Sequence, residues 1–319
     1  NKAIIHYNNL GVFRKKYFNL FGLINRFYKI IYFVIIINKM ISKNKINVVY
    51  TNASVIISGA ISAKIKSVKS IFHIHEIPKN KFYLTIMRKV IEFFSHKIVL
   101  VSNAVKDHWS FDSKSQTYVF YNGFDFKYNN NENLILKDGI VFSCIGRLIP
   151  YKGHLYLLEI AKKIIKLNPR FILYIIGDTF SGYENYETSL KNFVLNNCLE
   201  RNIIFTGFRK DAKNFIKKSN FLIHTPIEPD PLPTVILESI AFLVPVIATE
   251  IGGNIEILDN GKAGYLIPHN NIDKSVDIIL EIMENQTNTL IKITHAKYHL
   301  DKYFFKKNFK KNILSLIEK

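Results

Sequence analysis

Acidic residues are missing from the opening stretch of this chain. Between Asn1 and His75 stand twelve Lys or Arg and no Asp or Glu, and Glu76 is the first carboxylate. Cysteine is nearly absent too: Cys144 and Cys198 are the only two. That excludes a disulfide framework and a cysteine metal cluster, and it fits a reducing cytoplasm. Gly and Pro are not in excess, so neither a collagen-like nor a low-complexity chain is in view. No apolar run is long. Phe27 to Ile37 is the strongest, and stretching it toward ~20 residues takes in Arg26, Lys29 and Lys39, which argues against a spanning helix. A helix buried against a sheet is the leading expectation for it, with a helix lying on a membrane second.

What is present is a chain of 319 residues, nearly half of them apolar, enough for two domains each with its own core. The formal charge of +19, concentrated on one side early in the chain, implies a polyanionic surface as partner. Anionic lipid head groups rank ahead of nucleic acid, because no helix-turn-helix, zinc or RNA-recognition signature accompanies the charge. An Asn/Ile/Lys-rich compositional bias accounts for part of the excess.

From residue 45 short β-branched runs alternate with longer amphipathic stretches. Strands are expected at 46–50, 70–74, 97–101 and 118–121, with helices at 54–66 and 82–94. The polar, aperiodic stretch 124–138 reads as a linker. Strands are then expected at 140–145, 171–176, 203–206, 221–224 and 246–249, separated by helices at 153–167, 186–196, 212–219, 234–243 and 254–258. Continuous apolar strands alternating with helices predict parallel, doubly wound sheets: an α/β protein with two Rossmann-like domains facing a cleft. The expected division is 1–126, 139–300 and a C-terminal helix at 301–319 that can pack back on the first domain.

Two segments could carry chemistry. In Asp230-Pro231-Leu232-Pro233-Thr234-Val235-Ile236-Leu237-Glu238, prolines stand just ahead of an apolar helix, and Pro233 suits its first position. The amides of Thr234 and Val235 would then point from the helix start, where an anion binds readily. Spacing alone leaves an Asp near a helix cap and an exposed helical Glu as the simpler reading. The other segment, Cys144-Ile145-Gly146-Arg147 continuing to Lys152-Gly153-His154, runs from a buried strand into a Gly-Arg turn with a Lys before the next helix. Arg as a fork and Lys as a point charge suit a diphosphate leaving group, and Gly146 lets a ligand approach the backbone.

Gly146-Arg147-Leu148-x-x-x-Lys152-Gly153, Thr206-Gly207-Phe208, Asp230-x7-Glu238, Gly252-Gly253-x-x-Glu256 and Gly264-Tyr265-Leu266 occur in that order. The arrangement resembles the retaining glycosyltransferases of group 1, also called family 4, whose members have the GT-B fold. The resemblance spans about residues 46–312 and is most specific from 141 to 267. It implies that Arg147 and Lys152 hold the donor diphosphate together with the amides of Thr234 and Val235. Glu238 would hold the ribose, Asp230 would face the donor sugar, and Gly207 and Phe208 would lie near the base. Most members have Glu where Asp230 stands, so the reach is shorter here. His75 would match the family's cleft histidine. His73 competes for that role, and strand alternation puts both on one face.

The resemblance thus implies a retaining, metal-independent hexosyltransferase with no cofactor, the nucleotide-sugar (UDP- or GDP-linked) being its substrate. Its acceptor would be a glycan or a lipid-linked sugar, in bacterial surface polysaccharide synthesis at the inner face of the cell membrane. Catalytic roles would fall to Asp230, Glu238 and His75, with no metal site. The resemblance also implies an opening strand and Gly-rich loop that this sequence lacks. The competing reading is therefore a truncated, inactive nucleotide-sugar-binding protein at the membrane surface.

Overall fold

The computed structural model describes residues 19–125 and 140–318. Apart from Phe124 and Asp125, the expected linker lies outside them. The described residues form two compact units that divide after Tyr121, with the residues from Ile313 onward counted in the first.

The first unit carries a sheet of four parallel strands in the order β1 (Val48–Asn52), β2 (Lys69–Ile74), β3 (Lys97–Leu100) and β4 (Thr117–Val119). Ile71, Phe72, Ile74, Ile98 and Leu100 are all but fully buried, as expected of strands covered on both faces. The helices here are α1 (Leu20–Lys43), α2 (Ser58–Ile65), α3 (Lys81–Phe94) and α4 (Asn103–Trp109). α4 has no counterpart among the elements expected from sequence. It is short, and the Ser102 hydroxyl caps it by accepting from the Val105 amide at 3.2 Å. Its final residue, Trp109, is fully buried and donates from Nε1 to the Glu76 carbonyl at 2.8 Å.

α1 departs from expectation. It has 24 residues, and burial is confined to one stripe that includes Ile30, Phe33 and Ile41. Phe21 is 85% exposed, Phe27 67% and Tyr28 66%. The segment is thus not a mostly buried helix. A helix of this length presents several faces, and α2 meets one of them, where Ser62 Oγ donates to the Val34 carbonyl. By length and composition Phe21–Lys43 could cross a bilayer, a test that core helices of soluble proteins also pass.

The second unit holds six parallel strands, β5 (Val141–Ile145), β6 (Ile172–Ile176), β7 (Ile203–Gly207), β8 (Phe221–His224), β9 (Val246–Thr249) and β10 (Tyr265–Ile267), in the spatial order β10-β9-β8-β5-β6-β7. The chain builds outward from β5 to β7 on one side, then returns to pair β8 with β5 on the other, Phe142 opposite Phe221. That is the doubly wound Rossmann order, and its switch point lies between β5 and β8. Its helices are α5 (His154–Leu167), α6 (Glu184–Asn196), α7 (Ala212–Lys218), α8 (Thr234–Ala241), α9 (Gly253–Ile257), α10 (Ile272–Glu284), α11 (Gln286–Tyr303) and α12 (Lys306–Glu318). The part of α12 from Ile313 onward belongs to the first unit, in whose core Leu316 packs with Ile71 and Val99. Leu157, Ile160, Leu173 and Ile223 join a continuous core in the second.

Candidate functional site

In an open parallel sheet the loops leaving a switch point diverge, and the crevice between them receives the ligand. Here the loop after β5 carries Gly146, Arg147 and Lys152, and the loop after β8 runs through Asp230 to the start of α8. Lys152 Nζ is ion-paired to Asp230 Oδ2 between them. The chain closes this junction by backbone contact. The Ile227 amide donates to the Tyr151 carbonyl at 3.0 Å, and a side chain at Gly153 would meet the Thr225 carbonyl oxygen at 1.8 Å. With its φ of +71°, Gly153 lets the loop turn into α5 directly beneath that carbonyl.

Asp230 is held just as tightly. The Gly253 amide donates to its carbonyl at 2.7 Å, and a side chain at Gly252 (φ +59°) would lie 2.7 Å from the Asp230 backbone nitrogen. The paired glycines noted in the sequence thus seat the acid's own main chain. Asp230 is nearly buried, 8% exposed. Burial pushes its pKa up, but the bonded Lys152 ammonium, with the His224 imidazole facing the same oxygen, outweighs that and holds it at about 2.

α8 begins at Thr234, so Pro233 is the capping residue rather than the first helical one, its ψ of 110° being extended. No side chain caps this end. Thr234 is exposed and Val235 half-buried, and the start of a helix left without a cap favours an anion. Glu238 lies a turn further in and is half-buried. Burial raises its pKa, opposed by the charge of Lys213.

Arg147 is exposed and lies over the Phe180 ring, 5.7 Å from its centroid. Toward the far edge the strand ends form a ledge of three glycines. The Gly146 amide donates to the Ile176 carbonyl, and the Gly177 amide to that of Gly207, both at 3.0 Å. A side chain at Gly146 or Gly207 would meet no atom within 4 Å, so the surface there is open. Phe208, 71% exposed, stands at the end of β7, two strands away from β5. The fold therefore gathers Arg147, Lys152, Asp230, Thr234 and Val235 around the switch point, with Glu238 behind them and Gly207 and Phe208 along the rim.

Two buried histidines beside this cluster were not singled out by the sequence reasoning. His224, the last residue of β8, has Nε2 3.6 Å from Asp230 Oδ2. His154, the first residue of α5, is likewise buried. Burial lowers the pKa of both, that of His154 to about 4 with the help of His224 and Lys152. For His224 the available signal was a polar residue closing an otherwise apolar strand run.

In the first unit, His73 and His75 share a face as alternation requires, their ring centroids 4.0 Å apart. His73 is 2% exposed, and its Nδ1 meets the Tyr50 hydroxyl at 2.7 Å. Burial, helped by His75, lowers its pKa to about 3. His75, beyond the end of β2, is half-buried, and its Nε2 meets Asn52 Oδ1 at 2.5 Å.

Comparison with known proteins identifies the family and the fold. Residues 125–299, more than half of the chain, match the family described as glycosyl transferases group 1. An Escherichia coli UDP-Gal:alpha-D-GlcNAc-diphosphoundecaprenol alpha-1,3-galactosyltransferase is 27% identical over 276 residues, 78% of this chain and 69% of that enzyme. The capsular polysaccharide biosynthesis glycosyltransferase CapM of Staphylococcus aureus is 23% identical over 65% of this chain and 57% of its own length. Among solved structures, Anabaena HepE in complex with UDP superposes with a TM-score of 0.80 at 21% identity, covering 89% of this chain and 81% of that one. The two Rossmann-like domains are those of the GT-B glycosyltransferases, and the chain belongs to the glycosyl transferases group 1 family.

Proposed function

We propose that this glycosyltransferase moves a hexose from a UDP- or GDP-linked donor, with retention of configuration and without a metal, to a glycan or lipid-linked acceptor. The observation that carries the donor site is the convergence of Lys152, Arg147 and the uncapped start of α8 on the β5/β8 switch point. These groups supply the positive charge that a departing diphosphate needs. Asp230 then faces the sugar, Glu238 holds the ribose and Phe208 borders the base. In the transfer, the bond from the anomeric carbon to the phosphate oxygen breaks. The acceptor oxygen bonds that carbon on the same face, and its proton passes to the leaving diphosphate. His75 is assigned to the acceptor side.

The E. coli relative is named for a diphosphoundecaprenol-linked acceptor and CapM for capsular polysaccharide, which supports a lipid-linked acceptor and a role in surface polysaccharide synthesis. Peripheral contact with anionic lipid at the cytoplasmic face is supported by the acid-free stretch 1–75 and by the exposed apolar side of α1. Incubation with UDP-glucose, UDP-galactose, UDP-N-acetylglucosamine and GDP-mannose, in the presence of a chelator and a lipid-diphosphate-linked N-acetylglucosamine, tests the reaction. An α-linked product seen by NMR supports it. An inverted linkage or a requirement for added metal contradicts it.

A further inference from the structure

Asp230 has two cationic or proton-bearing neighbours, and both approach the same oxygen. Lys152 Nζ is bonded to Oδ2, and His224 Nε2 stands 3.6 Å from it, just outside hydrogen-bond range. Among the described residues no other partner satisfies that buried nitrogen. His224 is 2% exposed and fixed at the end of β8 by the strand's pairing with β9, while the next residue, Thr225, carries the carbonyl packed against Gly153. The imidazole therefore has little freedom, whereas the lysine is a flexible chain with a charge at its tip.

We propose that His224 is a positioning residue that takes over Asp230 when Lys152 turns to the donor diphosphate. The inference rests on the assignment of Lys152 to the diphosphate and of Asp230 to the donor sugar. The diphosphate carries more negative charge than one carboxylate, so it draws the ammonium away from Oδ2. A shift of roughly 0.7 Å then brings that oxygen to an ordinary hydrogen-bond length of ~2.9 Å from Nε2. The carboxylate accepts, so the imidazole proton belongs on Nε2. Because both neighbours use Oδ2, Oδ1 stays available to a sugar hydroxyl throughout the exchange. His154 is a second buried imidazole nearby, and among the described residues it joins Lys152 and Asp230 as the charged or titratable groups acting on His224.

The test uses the full chain labelled with ¹⁵N-histidine, titrated with UDP and, separately, GDP. Saturation with the nucleotide that binds should move one imidazole N–H proton downfield. That signal should be absent from His224→Gln and lost in Asp230→Asn. In donor hydrolysis, His224→Ala should lower kcat at least tenfold with nucleotide Kd within twofold of wild type, and His224→Gln, whose amide still donates, should recover most of the loss. Binding without a new imidazole signal, or a glutamine variant no better than alanine, overturns the proposal while leaving the donor site standing. Failure of the folded wild type to bind either nucleotide overturns both.

Discussion

Lys152 and Asp230 meet across the switch point of the second sheet, one from the loop after β5 and the other from the loop after β8. They link the two strands where the order of the sheet reverses, and each is braced by a glycine whose missing side chain lets the main chains touch. Retaining a nearly buried carboxylate requires such a partner, since an unpaired charge there is strongly disfavoured.

The acid limb of stability should report that pair. The folded pKa of Asp230, about 2, lies below its ordinary value of 3.8. Its stabilisation is therefore present above ~4 and lost as pH falls through ~2, amounting to about 2 kcal/mol at neutral pH. Thermal unfolding followed from pH 6 to pH 2 should show Asp230→Asn with a flatter decline than wild type. Parallel curves would show that the carboxylate is not held by its neighbours.

Gly153 and Gly146 should separate folding from binding. Gly153→Ala places a methyl against the Thr225 carbonyl at positive φ, costing about 2 kcal/mol or more. Gly146→Ala meets no atom within 4 Å, so its thermal midpoint should stay near wild type while nucleotide affinity falls. Equal destabilisation by the two would contradict the open ledge at the end of β5.

Glu238 should behave as a functional residue that costs stability. Its pKa is raised by burial, so the charged form is disfavoured in the fold. Stability is lost as pH rises through its titration. Glu238→Gln should therefore be at least as stable as wild type at pH 7, with the difference gone below the ordinary carboxylate range, yet bind nucleotide more weakly. Denaturant titration at two pH values, paired with binding, checks both halves.

His75→Ala should lower donor turnover roughly 10²-fold, the scale of a lost acid–base or orienting contact. Nucleotide affinity should be unchanged, because the residues proposed to hold the diphosphate belong to the other unit. A drop in affinity matching the drop in turnover would place the histidine's effect in folding instead.

Much of the fold was legible in the sequence because burial writes itself as pattern. Apolar runs such as Ile172–Ile176 and Phe221–His224 end where the sequence places them. The short β10 and α4 have too few residues to show a period. α1 misled because apolar content tells what a helix offers and not what covers it. At the site, the order of Arg147, Lys152, Asp230 and Glu238 was visible along the chain. The packing of Gly252 and Gly253 beneath Asp230, and of His224 beside it, was not: such contacts join loops distant in sequence and leave no local spacing to read.

The most direct test is calorimetric binding of UDP and GDP to wild type, Lys152→Ala and Glu238→Gln. Losing the charged phosphate contact proposed for Lys152 should cost on the order of 1.5–3 kcal/mol. One of the two nucleotides should bind the wild type, and both substitutions should weaken it, Lys152→Ala the more severely. A folded wild type that binds neither nucleotide, or a Lys152→Ala variant that binds as tightly as wild type, would contradict the assignment of the β5/β8 switch point as the donor site.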